Sequence, residues 1–303
     1  MMGCPREGSA PGGVGPDPAG PRRDCERRRM ARSGLLKYHI IGTLWVGQSS
    51  IVYRATNIRN ELVAIKMLLP DTASSRRAQR MMEREARLAL NLDHPNIVRA
   101  IEYIREAPMP ALVMDYFSSE NLKTHIVRSE SFIHEHAKSI VLQVCEALEY
   151  VHGQGLIHLD MKPENVLVAE DGLTKIIDFA LAEERRNTLG QLFTRRRIAG
   201  TRPYIAPETI RRQKPDVRTD IYSLGTTVYE MLTGRPPFVS ADRDAILRMH
   251  LRQQAPFMRL YNGNISLRMD QFVLEMLAKR RDHRPDDIEA VIRRMKSIDV
   301  FDK

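Results

Sequence analysis

The sequence predicts an α+β protein in two lobes: a small β-rich lobe carrying one helix, then a larger, mainly helical lobe. Three observations predict this. Between Tyr38 and Phe117 the aliphatic and β-branched residues fall mainly into short strand-like runs with one helical stretch among them. After Ser118 apolar residues recur at helical spacing. Between the two patterns Ser118 and Ser119 break an apolar strand, which puts the boundary at about 116–119. The expected divisions are a disordered tail over 1–34, a first lobe over 35–117 and a second over 118–303.

The elements follow in order. Residues 1–34 are rich in Gly, Pro and Arg and poor in aliphatics. Such a segment buries too little apolar area to offset its ordering entropy. Met2-Gly3-Cys4 faintly suggests lipidation, but Gly3 follows a second Met and Glu7 stands where Ser or Thr belongs. Strands are expected at Ile51–Tyr53 and Leu62–Leu69. In the second, Val63, Ile65, Met67 and Leu69 share one face, and Ala64 and Lys66 the other. Residues 75–92 read as a helix, rich in Arg, Glu, Met, Ala and Leu. Short strands are expected near 97–104 and 110–116. In 135–152 the stripe Ile140, Val141, Val144, Leu148 and Val151 predicts a helix that stops at Gly153. Further helices are expected near 217–233, 241–254, 267–278 and 286–297.

Composition excludes several classes. With 303 residues, 43% hydrophobic and 28% charged, the chain has the make-up of an ordinary globular protein with room for two cores. No apolar run approaches the roughly 18 residues needed to span a bilayer, and residues 1–30 lack the apolar segment of a secretory signal. Cys4, Cys25 and Cys145 are too few and too scattered for a disulfide framework or a zinc site. They suit a reducing compartment and so a cytoplasmic protein, with Cys145 packing as a small hydrophobe. The net charge of +9 raises nucleic acid or an anionic membrane as partners. Arginine is spread over many positions with no aromatic-interleaved stripe, so no nucleic-acid partner is expected. Oligomeric state is not legible.

The chemistry concentrates in Ile157–Val166, where an acid, Asp160, a cation, Lys162, and a neutral oxygen donor, Asn165, stand within a few residues. Asp178-Phe-Ala180 follows, and Val63-Ala-Ile-Lys66 lies far upstream. Transfer of a phosphoryl group from a metal nucleotide needs such parts: a base near the attacking hydroxyl, metal ligands and a cation on the phosphates. Lys66, mid-strand among hydrophobes, must reach solvent at an edge or meet an anion.

Over about 38–297 the set resembles the protein kinase family, in its serine/threonine branch because lysine fills Asp-x-Lys-Pro-Glu-Asn. The compact layout, with Leu92-Asp-His-Pro-Asn-Ile-Val98 and Asp220-Ile-Tyr-Ser-Leu-Gly225, looks most like bacterial eukaryotic-like kinases. The resemblance implies a bilobal kinase fold, ATP and magnesium as cofactors, and protein substrates. It implies Asp160 as the base, Lys162 as the cation on the moving phosphoryl group, and Asn165 and Asp178 as magnesium ligands. It implies that Lys66 pairs with Glu85, with Glu83 as runner-up facing elsewhere on the helix. The adenine slot would be roofed by Leu44, Val52 and Ala64 and floored by Leu167, with Met114 as gatekeeper and Asp115–Phe117 as hinge. Thr201 would contact the base and its lysine, Glu208 would pair with Arg284, and Asp220 would brace the catalytic loop.

Departures from the family pattern are equally specific. In the phosphate loop only Gly47 survives, with Trp45 and Ser50 in place of the outer glycines, so a stiffer loop is expected, with Ser49 and Ser50 offering amides and hydroxyls. Leu159 replaces the arginine that grips a phosphorylated activation loop, and Ala180 replaces a glycine, which argues against large flips there. Ala89 and Ala100 are small in a stack completed by His158 and Phe179, which predicts loose coupling between lobes unless neighbouring Met residues fill the gap. Arg185, Arg186, Arg195, Arg196 and Arg197 crowd the expected activation loop, 181–208. They form either a solvated basic loop or a receptor for acidic substrate residues or for a phosphate on Thr188 or Thr194. Two readings stand: an active kinase, or a pseudokinase that serves as a nucleotide- or protein-binding scaffold.

Overall fold

The computed structural model describes residues 34–105, 109–185 and 200–302. The first part is a five-stranded antiparallel sheet of β1 (Tyr38–Val46), β2 (Ser50–Asn57), β3 (Leu62–Leu68), β4 (Ala100–Ile104) and β5 (Ala111–Asp115), in the order β1-β2-β3-β5-β4. Val63, Ile65 and Met67 bury one face against Ala55, Ala111 and Val113. Leu35 joins that core from a 3-10 turn, Gly34–Lys37. Of the tail expected over 1–34, all but Gly34 lies outside the described residues.

Leu69, expected as the fourth member of the Val63 face, instead lies beyond β3 and caps a short helix, α1 (Pro70–Ala73). Pro70 lacks the N–H that would continue a ladder, while its fixed φ suits a first helical position. Helix α2 (Arg76–Ala89) starts where the Ser75 side chain accepts from the Ala78 amide. It ends three residues before the apolar pattern does. The strand expected from 97 begins only at Ala100, because Ile97 forms a bridge to Ile176 in the second part of the molecule.

That second part holds β6 (Glu120–Asn121), β8 (Val166–Val168) and β9 (Thr174–Ile176) in one small sheet, and β7 (Leu156–Ile157) with β10 (Glu183–Glu184) in another. Its helices are α3 (Leu122–Arg128), α4 (Glu130–Gly153), α5 (Pro207–Ile210), α6 (Val217–Thr233), α7 (Arg243–Arg252), α8 (Leu267–Met276) and α9 (Ile288–Ser297). Helix α4 begins five residues before the expected start at 135, because Ser129 accepts from the Phe132 amide and Glu130 complements the N-terminal dipole. Helix α6 carries an Asp216/Thr219 capping box and stops at Gly234, whose φ is 74°. It is the buried axis of this part. A Cβ at Gly225 would stand 2.9 Å from Met276 Cβ, so glycine sets how closely α6 and α8 approach.

The two parts share a core. One buried cluster runs from Ala86, Leu88 and Ala89 of α2 through Leu92, Ile97, Ala100 and Leu112 to Val144, Leu148, Phe179 and Tyr222, with Met114 packed against it. The small Ala89 and Ala100 therefore leave no break between lobes. Leu92 and Ile97 belong to the same cluster as these two alanines, and Met114 packs against it. Cys145 is fully buried and burial pushes its thiol up, as expected of a small core hydrophobe. Among the described residues no helix is long and apolar enough to cross a membrane.

Candidate active site

Strand β3 projects Lys66 from the face opposite Val63 and Ile65, and α2 brings Glu85 across from it. Lys66 Nζ donates to Glu85 Oε1 at 2.6 Å and to Asp178 Oδ1 at 3.2 Å. Burial would lower the Lys66 ammonium, but the two carboxylates outweigh it and hold the group above its ordinary value. Burial likewise works to raise Asp178, but Lys66 and the Ala180 amide hold it below its ordinary value. Glu85 is fully buried with one cation to share, so burial wins and pushes its carboxyl up to about 7. Glu83 points elsewhere and pairs with Arg105 at 3.2 Å on the surface.

A second group forms around Asp160. Lys162 Nζ donates to Asp160 Oδ2 at 2.6 Å and to Thr201 Oγ1 at 2.9 Å, and Thr201 Oγ1 donates to Asp160 Oδ1 at 3.0 Å. Asn165 Nδ2 donates to the Asp160 carbonyl at 2.8 Å and to Asp160 Oδ2 at 3.2 Å. Beneath the group, Asp220 accepts from the amides of His158 and Leu159 and bonds His152 Nε2, each at 2.8 Å. The two groups are joined where the Ile177 amide donates to the Asn165 carbonyl at 3.0 Å.

Asn165 bonds Asp160 through Nδ2, and the bonds from Lys66 and the Ala180 amide to Asp178 end on Oδ1. Asn165 Oδ1 and Asp178 Oδ2 are hard oxygen donors, the type magnesium favours. Among the described residues no group of three or more His, Cys, Asp or Glu forms a metal cage. A pair of oxygens fits an ion that completes its shell with phosphate and water.

The ladders place several of the residues expected around a nucleotide. Val52 lies opposite Lys66, and Ala64 opposite Met114. Asp115 ends β5, its amide bonded to the Arg99 carbonyl at 2.9 Å and its carboxylate to Arg99 Nε at 3.1 Å. Phe117 and Leu167 are linked through Lys175, whose Nζ lies 5.6 Å from the Phe117 ring centre and which pairs with Leu167 across β8 and β9. Leu44 is half exposed near the end of β1.

The hairpin between β1 and β2 differs from expectation. Ser50 is the first residue of β2, buried at 7% exposure and paired with Leu68, and its carbonyl accepts from the Gly47 amide at 2.8 Å. It belongs to the strand rather than to the open loop, because the ladder to β3 captures it. The Ser49 carbonyl is held too, by the Leu69 amide at 2.9 Å and by Thr72 Oγ1 at 2.8 Å. The Trp45 indole lies on Gly47, where a Cβ would stand 1.9 Å from the ring.

Ala180 does not have a positive φ. That conformation falls on Asp178 (70°) and Leu159 (67°), so alanine at 180 is unstrained in this state. His158 and Phe179 meet with ring centres 5.0 Å apart. Glu208 and Arg284 form a buried two-point pair at 2.8 and 2.9 Å. Arg186, Arg195, Arg196, Arg197, Thr188 and Thr194 lie outside the described residues.

Sequence reasoning missed four contacts. Buried Glu230 of α6 bonds Lys123 of α3 and the Tyr204 hydroxyl, the latter at 2.6 Å. His152 is the third partner of Asp220. Arg84 of α2 donates to the Ala182 carbonyl, tying the helix that carries Glu85 to the segment after Asp178. The partners are 26 to 107 positions apart, and no local pattern announces them.

Residues 38–294 match the protein kinase domain. The chain belongs to the protein kinase family. It is 32% identical over 253 residues to a probable serine/threonine-protein kinase of Streptomyces coelicolor, covering 82% of this chain and 38% of that protein. It is similar, at 32% over 254 residues, to the serine/threonine-protein kinase PknB of Mycolicibacterium smegmatis, and at 33% over 255 residues to PknB of Mycobacterium leprae; each match covers 82% of this chain and 40% of the relative. This kinase-family chain therefore spans about two fifths of the length of these relatives, and its similarity is to eukaryotic-like serine/threonine kinases of bacteria.

Proposed function

We propose that this chain is an active serine/threonine protein kinase that transfers the γ-phosphate of ATP to hydroxyl groups of protein substrates. The observation that carries the reading is Lys66 bonded at once to Glu85 and Asp178, which aligns a cation and a carboxylate with the Asp160 group in one continuous site. Lys66 orients the nucleotide phosphates and Glu85 holds Lys66. Leu44, Gly47, Val52, Ala64 and Leu167 enclose the nucleotide, with Asp115 and Phe117 at the hinge. Asn165 Oδ1 and Asp178 Oδ2 would hold magnesium, which when bound would neutralise charge on the phosphates. Asp160 orients the substrate hydroxyl and takes its proton, and Lys162 steadies the charge on the transferred group. The lobes divide at 117/118. The buried thiol of Cys145 fits a reducing compartment, and the cytoplasm belongs to the same reading.

The test is incubation of the purified chain with labelled ATP, magnesium and a protein substrate, beside an Asp160→Ala control. Label on serine or threonine that disappears in the control is the expected result. Nucleotide binding without transfer in the parent would assign the chain to the scaffold class instead.

A further inference from the structure

A cavity of about 370 Å³ opens on the C-terminal lobe between the segment that starts at Glu208 and the turn at Lys279–Asp282. Every residue that lines it is polar or charged: five cations, three carboxylates and one amide. The carboxylates are already engaged. Glu208 holds Arg284 at 2.8 Å, Asp216 holds Arg281 at 2.9 Å and Asp282 holds Arg280 at 2.6 Å. Arg218 is matched by Asp286 at 2.7 Å.

Two lining cations remain, Arg211 and Lys279, and neither has a carboxylate partner among the described residues. Arg212 and Lys214, beside Arg211 in the chain, have none either. Lys279 Nζ is satisfied only by neutral groups, the Tyr222 hydroxyl at 3.1 Å and the face of Phe238 at 4.4 Å. Burial and the nearby Arg284 and Arg211 push its ammonium down to about 7. Cations gathered in a concave, half-buried place without an anion repel one another, and a bound dianion would relieve that repulsion. A guanidinium fork with a point-charge ammonium is the donor set that suits phosphate.

We infer that this cavity binds the phosphate monoester of an already phosphorylated serine or threonine on a protein substrate, with Arg211 and Lys279 as its ligands. The choice of a protein-borne phosphate rests on the kinase reading, whose product is such a group. The chain path supports it. Thr201, bonded to Asp160, leads through α5 to Arg211, so a single segment runs from a direct contact of the base to the cavity. The lining offers no aromatic face for a nucleic-acid base and no apolar wedge for a bilayer.

The experiment is a fluorescence-anisotropy titration of the full chain, without nucleotide, using a labelled peptide with one phosphoserine and its unphosphorylated twin. The phosphopeptide should bind about tenfold tighter, as one to three new charge-assisted bonds allow, and inorganic phosphate should compete. Arg211→Ala, at an exposed position, should remove the preference without moving the melting temperature, and Lys279→Met should remove it too. Arg211→Ala should leave transfer to an unphosphorylated peptide unchanged. Equal binding of the two peptides, a preference that survives Arg211→Ala, or failure of phosphate to compete would overturn the inference. Tighter binding to phosphatidylserine vesicles than to the phosphopeptide, lost in the same variant, would reassign the patch to a membrane and overturn it as well. Because no turnover is read in the titration, Asp160→Ala should bind as the parent does, and a failed kinase reading would leave this result standing.

Discussion

Lys66, Glu85 and Asp178 show how one cation is divided between two carboxylates. Glu85 lies deeper, and its carboxyl titrates at about 7 against an ordinary 4.5. The ion pair needs the ionised carboxylate, so turnover should fall as pH drops below about 7. Stability has the opposite sign. A raised folded-state value means that the folded chain binds this proton more tightly, so the contribution of Glu85 is fully present below about 4.5 and lost as pH rises through 7. Measured as kcat/KM against pH, Glu85→Gln should lower the plateau and remove this acid limb; an unchanged limb would show that another group sets it. The carboxylates that face the reaction behave differently. Asp160→Ala and Asp178→Ala should each abolish most transfer, by about 10²–10⁴-fold for a lost base. Both sit on loops, so the melting temperature should hold. Comparable turnover in either would remove its assigned role.

At the scale of elements, the β1–β2 hairpin is where a sequence pattern and its structure part. Ser50 aligns with a loop glycine, yet the ladder to Leu68 makes it a buried strand residue. Ser50→Gly should therefore lower stability by about 0.5–1 kcal/mol, the cost of glycine inside a strand, and leave ATP affinity nearly unchanged. A large change in affinity with no loss of stability would reverse this. Gly47 is constrained from the other side, by the indole of Trp45, the chain's one tryptophan. Gly47→Ala must push the ring outward, and the intrinsic emission should shift to the red. An unshifted spectrum would mean that the indole does not rest there.

For the whole molecule, the Glu208–Arg284 pair fastens the segment after Thr201 to the turn before α9, with both side chains almost fully buried. Removing one partner strands a buried charge, so Arg284→Ala should lower the unfolding free energy by about 3–5 kcal/mol in urea titrations. A loss below 1 kcal/mol would mean that water reaches the orphaned Glu208. The core that joins α2 to α4 and α6 explains why small residues at 89 and 100 are tolerated: the contact is spread over many side chains, and Arg84 adds a polar tether.

The sequence by itself determined the α+β class, the strand and helix periods, and the grouping of polar residues around Asp160, because each is written in neighbouring positions. Period reports local burial, and Asp160, Lys162 and Asn165 lie within one loop. It also named Glu85, Thr201, Asp220 and the Glu208–Arg284 pair, since a family pattern supplied partners that spacing alone does not. Tertiary structure decided the rest. Whether Ser50 belongs to a loop or a strand depended on β3, and the positive φ at Asp178 rather than Ala180 depended on what surrounds that turn. Glu230 with Lys123, and the cations left without carboxylates around Arg211 and Lys279, are meetings of distant segments. A pairing of that kind leaves no trace in local composition, because the energy that selects it comes from burial and charge across space and is felt only once the chain has folded.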